Sequence, residues 1–171
     1  MLFRSLLVLG GARSGKSRFA QARAEAEEGA LVYIATGQAF DTEMAERIER
    51  HRADRGPRWR TVEAPLTLAG AIAAEARPGQ VVLVDCLTLW ASHLMLGEQD
   101  IEAETKHLAE AIRAARGPLI LVSNEVGLGI VPENALARRF RDVAGRINQA
   151  VAEIVAEAVF VAAGLPLRLK G

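Results

Sequence analysis

One cysteine, Cys86, occurs in 171 residues. A lone thiol excludes an internal disulfide and a cysteine-built zinc cluster, and it fits a reducing compartment. An excess of charge of one sign is missing too. Lys plus Arg and Asp plus Glu number 21 each, for a net charge of zero. That argues against a nucleic-acid partner or an anionic membrane bound through overall basic charge. Long apolar runs are absent: uncharged stretches such as Cys86–Gly97 fall well short of the ~20 residues that a membrane span needs. Lysine is scarce, with Lys16, Lys106 and Lys170 the only three, so the other basic residues are arginine. A chain that uses Arg for generic positive charge makes a Lys in a special context stand out. No internal repeat, low-complexity tract or interdomain linker interrupts the chain, and its length suits one domain over 1–171.

What is present is an ordinary globular composition, half hydrophobic and a quarter charged. The N-terminal MLFRSLLVLGGA superficially resembles a secretory signal, but it runs directly into a phosphate-binding motif, so a cytoplasmic protein is expected.

Apolar runs of strand length alternate with longer helical patterns. Strands are expected at Leu6–Leu9, Leu31–Ala35, Arg58–Glu63, Val81–Asp85 and Leu119–Ser123, with Val159–Ala162 and Leu165–Leu169 closing the chain around Gly164. Helices are expected over Ser17–Glu28, from an Asp41 cap to about Arg52, from Pro65 to about Ala76, from after Asp85 to about Met95, over Ile101–Ala115, and from Pro132 onward. The last carries an apolar stripe of Leu136, Phe140, Val143, Ile147, Val151 and Ile154. Met44, Ile48 and His51 share one face of the second helix. Continuous apolar strands between helices argue for an α/β fold, its mainly parallel sheet covered by helices on both faces.

The sharpest motif is Gly10-Gly11-Ala12-Arg13-Ser14-Gly15-Lys16-Ser17, which matches G-x-x-x-x-G-K-[ST] between an expected strand and helix. Its glycines let backbone N–H groups point at phosphate oxygens, and the helix N-terminus adds partial positive charge. Lys16 reaches the outer phosphates of a nucleotide and the Ser17 hydroxyl ligates Mg²⁺. Asp85 ends the strand VVLVD, where a P-loop fold carries the carboxylate that holds Mg²⁺; the alternative is an acid capping the next helix. Cys86 reads as a small packing residue at the strand end. The guanine-reading N-K-x-D motif is absent, since Asn124-Glu125-Val126-Gly127 has Glu in place of Lys.

Residues 50–60, RHRADRGPRWR, hold five arginines (50, 52, 55, 58 and 60) against Asp54 alone. This is a concentrated anion site with His51 inside it. A neutral imidazole is available near pH 7 and can attack phosphorus, while neighbouring guanidinium groups steady the negative charge of the transition state. A covalent nucleotidyl-histidine would follow. The plainer alternative is a packed helix-end histidine beside a solvated arginine rim. His93 and His107 lack basic company and read as structural.

Five segments carry a resemblance over nearly the whole chain. They are GGARSGKSRFA (10–20), VYIATGQAFDTEMAERIERHR (32–52), WRTVEAP (59–65), VVLVDCLTLW (81–90) and SNEVGLGIVPENALARRFRDVAGRINQAVA (123–152). Together they resemble the bifunctional adenosylcobinamide kinase/adenosylcobinamide-phosphate guanylyltransferase family of cobalamin synthesis. The resemblance implies a RecA-like P-loop NTPase fold and a homotrimer. It implies phosphorylation of adenosylcobinamide by ATP or GTP, then GMP transfer from GTP to the new phosphate, with Mg²⁺ as cofactor. His51 falls on the family's guanylylated histidine. Nucleotide contacts fall on Gly10, Gly11, Ala12, Arg13, Ser14, Gly15, Lys16, Ser17, Ala35, Thr36, Gly37, Arg52, Ala53, Asp54, Arg55, Glu63 and Asp85. Residues 123–146 read either as the corrinoid side of the site or as a structural loop and helix. Gly37 and Gly56-Pro57 bracket a segment, 38–58, expected to move between states. The rival readings are a single-function small-molecule kinase, which leaves His51 idle, and a non-catalytic nucleotide switch.

Overall fold

The computed structural model describes residues 5–171; the first four residues of the leader-like N-terminus lie outside them. Seven strands form one sheet: β1 (Ser5–Gly10), β2 (Ala30–Ala35), β3 (Trp59–Glu63), β4 (Gln80–Asp85), β5 (Leu119–Asn124), β6 (Glu157–Ala162) and β7 (Leu165–Lys170). Their order across the sheet is β3-β2-β4-β5-β1-β6-β7. All pairings are parallel except β6 with β7, an antiparallel hairpin at the edge. Six helices connect them: α1 (Lys16–Glu25), α2 (Thr42–Arg55), α3 (Leu68–Glu75), α4 (Leu87–Leu96), α5 (Ile101–Ala114) and α6 (Ala135–Ile154).

The strands are apolar on both sides because both sides are covered, but the cover is unequal. One face sets Leu7, Val32, Ile34, Val82 and Val84 against α3, α4, α5 and α6, with Trp90, Leu94, Leu108 and Ile147 fully buried between. The other face sets Leu6, Val8, Leu31, Val81, Leu83 and Val122 against little more than Ala20 and Ala24 of α1. Small residues on α1 let it lie close to the sheet, which keeps its N-terminus near the ends of β1, β4 and β5.

Four helix boundaries differ from expectation; the second helix runs on to Arg55 rather than ending near Arg52, and stops at Gly56, whose φ of 78° lies in the left-handed region. The first helix stops at Glu25, before Glu27 and Glu28, because acidic side chains at a helix C-terminus oppose its dipole. The third begins at Leu68 rather than Pro65: the Leu66 carbonyl accepts the indole N–H of buried Trp90 at 3.2 Å and holds the approach as a turn. The sixth begins at Ala135, capped by the Asn134 side chain, which accepts from the Ala137 N–H at 3.1 Å; Arg138 bonds the Pro132 carbonyl at 2.8 Å instead of letting the helix start there. Its apolar stripe is buried at Val143, Ile147 and Val151, while Leu136 faces solvent. Helix α2 departs most. None of its fourteen residues is buried, so the Met44–Ile48–His51 face is not a core stripe.

Candidate active site

The cradle is built by backbone geometry. After β1 the chain turns through Arg13 (φ 54°) and Gly15 (φ 91°), both in the left-handed region, the second of which favours glycine. Gly15 is also the N-cap of α1, and no side chain caps that helix. Helices α2, α4, α5 and α6 each have a side chain on their first turn, from Asp41, Cys86, Asp100 and Asn134. The first turn of α1 carries no acid either. Its N–H groups and positive dipole end are thus left for an anion. The back of the turn is tied down by the β6–β7 hairpin: the Gly164 N–H donates to the Ser14 carbonyl at 2.7 Å. A side chain at Gly10 would put its Cβ 2.5 Å from the Ser14 hydroxyl and 2.7 Å from the Val161 carbonyl, so only glycine fits that first position.

Lys16 folds over the cradle and donates to the Gly11 carbonyl at 3.1 Å. The Ser17 hydroxyl lies 3.5 Å from Asp85 Oδ2. The capping alternative for Asp85 fails, since the first turn of α4 is capped by the Cys86 sulfur. Thr36 joins the ends of β2 and β4: its hydroxyl donates to the Cys86 carbonyl at 2.6 Å and accepts the Cys86 N–H at 2.8 Å. The fully buried Thr36 side chain therefore supports the strand ends rather than facing a ligand. Burial, with the Asp85 carboxylate second, pushes the Cys86 thiol up to about 11. A protonated thiol there is a packing group and not a nucleophile.

The ends of β2, β4 and β5, the loop after β2 and the inward face of α2 enclose a cavity of about 810 Å³. Lys16, Ser17 and Asp85 lie at its floor, and His51 lies in its wall with Arg47, Arg52 and Arg55. Helical spacing of four explains why Arg47, His51 and Arg55 share a face. His51 is exposed, so the packed helix-end alternative fails and the ring is free to meet a ligand. Arg55 is the anchor of α2. Its guanidinium lies 3.5 Å from the centre of the Tyr33 ring, and Tyr33 meets Trp59 edge-on at 6.3 Å. Burial, followed by the nearby Asp85 charge, raises the Tyr33 phenol well above its ordinary range and keeps it protonated.

The arginine cluster is less concentrated than its sequence. Of the five, Arg52 and Arg55 line the cavity, while Arg60 pairs with Glu75 of α3. Ala53 and Asp54 face solvent and do not line it. Ala35, Gly37 and Glu63 do, as expected. Tyr33 and Arg47 were not among the expected site residues, and Asn124 was expected only within 123–146, as part of a corrinoid side or of a structural loop. Strand alternation from Ala35 and helix spacing from His51 signal the first two; nothing local sets Asn124 beside the cradle.

An uncapped helix after a glycine turn, with lysine, serine and aspartate at the ends of a parallel sheet, defines a P-loop nucleotide-binding fold. The P-loop strand β1 and the Asp85 strand β4 are separated by β5. A solved structure of the P4 protein from bacteriophage phi6 in complex with ADP is similar over 95% of this chain, with a TM-score of 0.52 at 14% identity. The chain spans about half, 52%, of that structure's length. Residues 6–169 match the family model described as cobinamide kinase / cobinamide phosphate guanyltransferase, and the chain belongs to that family. The bifunctional adenosylcobalamin biosynthesis protein CobP of Pseudomonas aeruginosa is 52% identical over 168 residues, covering 96% of both chains. The bifunctional adenosylcobalamin biosynthesis protein CobU of Escherichia coli is 43% identical over 180 residues, covering 96% of this chain and 99% of the relative.

Proposed function

We propose that the one cavity serves both family reactions, phosphorylating adenosylcobinamide and then guanylylating its phosphate through His51. The observation that carries this is the shared cavity itself, which holds Lys16, Ser17, Asp85 and His51 together.

In the kinase step the triphosphate lies over the N-terminus of α1, with Lys16 leaving the Gly11 carbonyl for the outer phosphates. The acceptor hydroxyl attacks the γ-phosphorus in line and the nucleoside diphosphate leaves. Positioning and charge neutralisation supply most of the catalysis. Ser17 Oγ and Asp85 Oδ2 fit Mg²⁺. Both are hard oxygen donors, and their 3.5 Å separation is close to the ~3 Å between adjacent ligands of an octahedral ion with bonds near 2.1 Å. When bound, Mg²⁺ supplies neutralisation of the phosphate charge.

In the transferase step His51 attacks the α-phosphorus of GTP and pyrophosphate leaves. The acceptor phosphate then attacks the histidine-bound phosphorus, giving adenosylcobinamide-GDP and freeing the imidazole. The nucleophile must reach past the cradle to the α-phosphate, and α2 suits that task because it is held at Arg55 and none of its residues is fully buried. Arg47 and Arg52 meet the charge that develops. Residues 126–136 extend from the cavity with Leu128, Ile130 and Val131 exposed, which suits a large, partly apolar corrinoid. Exposed Leu165, Leu167 and Leu169 on edge strand β7 suit association between copies of this chain, for which the resemblance implies a homotrimer, and the family role supports a cytoplasmic site. No helix among the described residues is long and apolar enough to cross a membrane.

Incubation with GTP labelled at the α-phosphate tests the reading. The protein should retain acid-labile, base-stable label, as a phosphoramidate does. His51→Ala should abolish the label and spare cobinamide phosphorylation; full labelling of the variant would show that another residue is the nucleophile.

A further inference from the structure

Asn124 is the last residue of β5, the strand between β1 and β4. Sheet register sets it beside Gly10, the first glycine of the cradle, and sets Val122, two residues earlier on the strand, beside Asp85. It lines the same cavity as Lys16 and Asp85. Its backbone is fixed with unusual completeness. The Asn124 N–H donates to Thr88 Oγ1 at 2.7 Å, and its carbonyl accepts from Asn148 Nδ2 at 3.3 Å. Asn148 is itself held, since Ser123 Oγ donates to its Oδ1 at 2.6 Å. The next residue, Glu125, donates its N–H to the Gly10 carbonyl at 3.0 Å. A buried network of Thr88, Ser123 and Asn148 thus aims one residue.

The side chain so aimed has no partner. Asn124 Oδ1 is shielded from solvent and accepts no hydrogen bond. Buried amides are ordinarily satisfied; Asn124 is an exception that also lines the cavity beside the cradle, where a bound ligand can supply the missing partner. The other polar groups of the network spend their hydrogen bonds on the protein.

We propose that Asn124 orients the phosphoryl acceptor in the kinase step. This rests on the kinase reading above. Its amide N–H donates to an oxygen of the transferring γ-phosphoryl group, and its Oδ1 accepts from the acceptor hydroxyl. The hydroxyl oxygen forms the new bond to phosphorus as the bond to the β-phosphate oxygen breaks. A neutral amide does not take the proton, which passes to an oxygen of the transferred phosphoryl group once the bond has formed. The α-phosphorus is attacked from the α2 side, so guanylylation of His51 does not use Asn124.

The experiment measures both half-reactions in wild-type protein, Asn124→Ala and Asn124→Asp. Asn124→Ala should lower the kinase kcat by about 100-fold, as loss of an aligned donor does, and lower α-label on His51 far less, so that the ratio of the two rates falls at least about tenfold. Asn124→Asp keeps the shape, loses the donor and sets a negative charge beside the phosphates, so it should be at least as impaired, with circular dichroism showing that the native fold is kept. A kinase kcat within about threefold of wild type in either variant overturns the proposal, as does a parallel loss of kinase activity and His51 labelling. A wild-type protein that fails to phosphorylate cobinamide overturns the kinase reading first, and the role of Asn124 with it.

Discussion

The floor and the wall of the cavity are built on opposite principles. The floor joins β1, β4 and β5, whose residues are mostly buried, and locks its turn with the Gly164 hydrogen bond and the Thr36–Cys86 pair. The wall is α2, none of whose residues is fully buried and which is pinned by the Arg55–Tyr33 stack near one end. A rigid floor and a loosely held wall suit a cavity proposed to serve two phosphorus centres. Phosphates need a pre-formed set of donors, because donors that must reorganise lose their advantage in the transition state. A nucleophile that must reach a different phosphorus from the one the kinase attacks needs a carrier that is cheap to shift, and a helix with no buried side chain is cheap.

Breaking the floor should have the largest effects. Gly10→Val places a branched side chain where even a Cβ lies 2.5 Å from the Ser14 hydroxyl and 2.7 Å from a backbone carbonyl. Overpacking of that kind should cost about 1–3 kcal/mol and remove both activities, checked by denaturant melts and by the two assays. Lys16→Ala should lower both activities by at least about 100-fold, as loss of a charged transition-state contact does. Its melting temperature should stay near wild type, since Lys16 bonds only one loop carbonyl.

The wall should answer differently. Arg55→Ala removes the stack on Tyr33, worth about 0.5–2 kcal/mol. It should raise proteolytic cleavage within 38–58 and slow His51 guanylylation more than the kinase step. Identical cleavage in the wild type and the variant would show that the anchor is not Arg55. Removing Arg52, whose 3.6 Å contact with Glu49 is an exposed ion pair, should leave the melting temperature unchanged, since such pairs contribute about 0.2–1 kcal/mol at most.

Burial pushes the native Cys86 thiol up to about 11, whereas the thiol of the unfolded chain keeps its ordinary value of 9.0. Below pH 9 the neutral thiol is common to both states. As pH rises from about 9 to about 11 the unfolded state loses its proton first, so stability falls. Cys86→Ala should flatten that alkaline loss in denaturant titrations, and native Cys86 should resist iodoacetamide at pH 8.

Much of the floor was legible in the chain because it is written in contiguous residues. The glycine turn, Lys16 and Ser17 form one motif, and VVLVD announces its own end by the switch from apolar to acidic. The alternation of strands and helices announced the layered sheet for the same local reason. Boundaries were less legible where distant groups competed, as when the Trp90 indole claimed the Leu66 carbonyl. The arginine run misled because sequence proximity does not distinguish a cavity wall from a solvent face: Arg55 turned inward, Arg60 went to Glu75, and Asp54 faced water.

The chain by itself therefore determined the phosphate cradle, since backbone conformation over eight residues depends on which of them are glycine and where the helix begins. Tertiary structure alone decided that His51 stands across from that cradle and that Asn124 stands beside it. Both placements depend on strand order and on a helix carried over the sheet edge, and such long-range packing leaves no periodic trace in the residues it brings together.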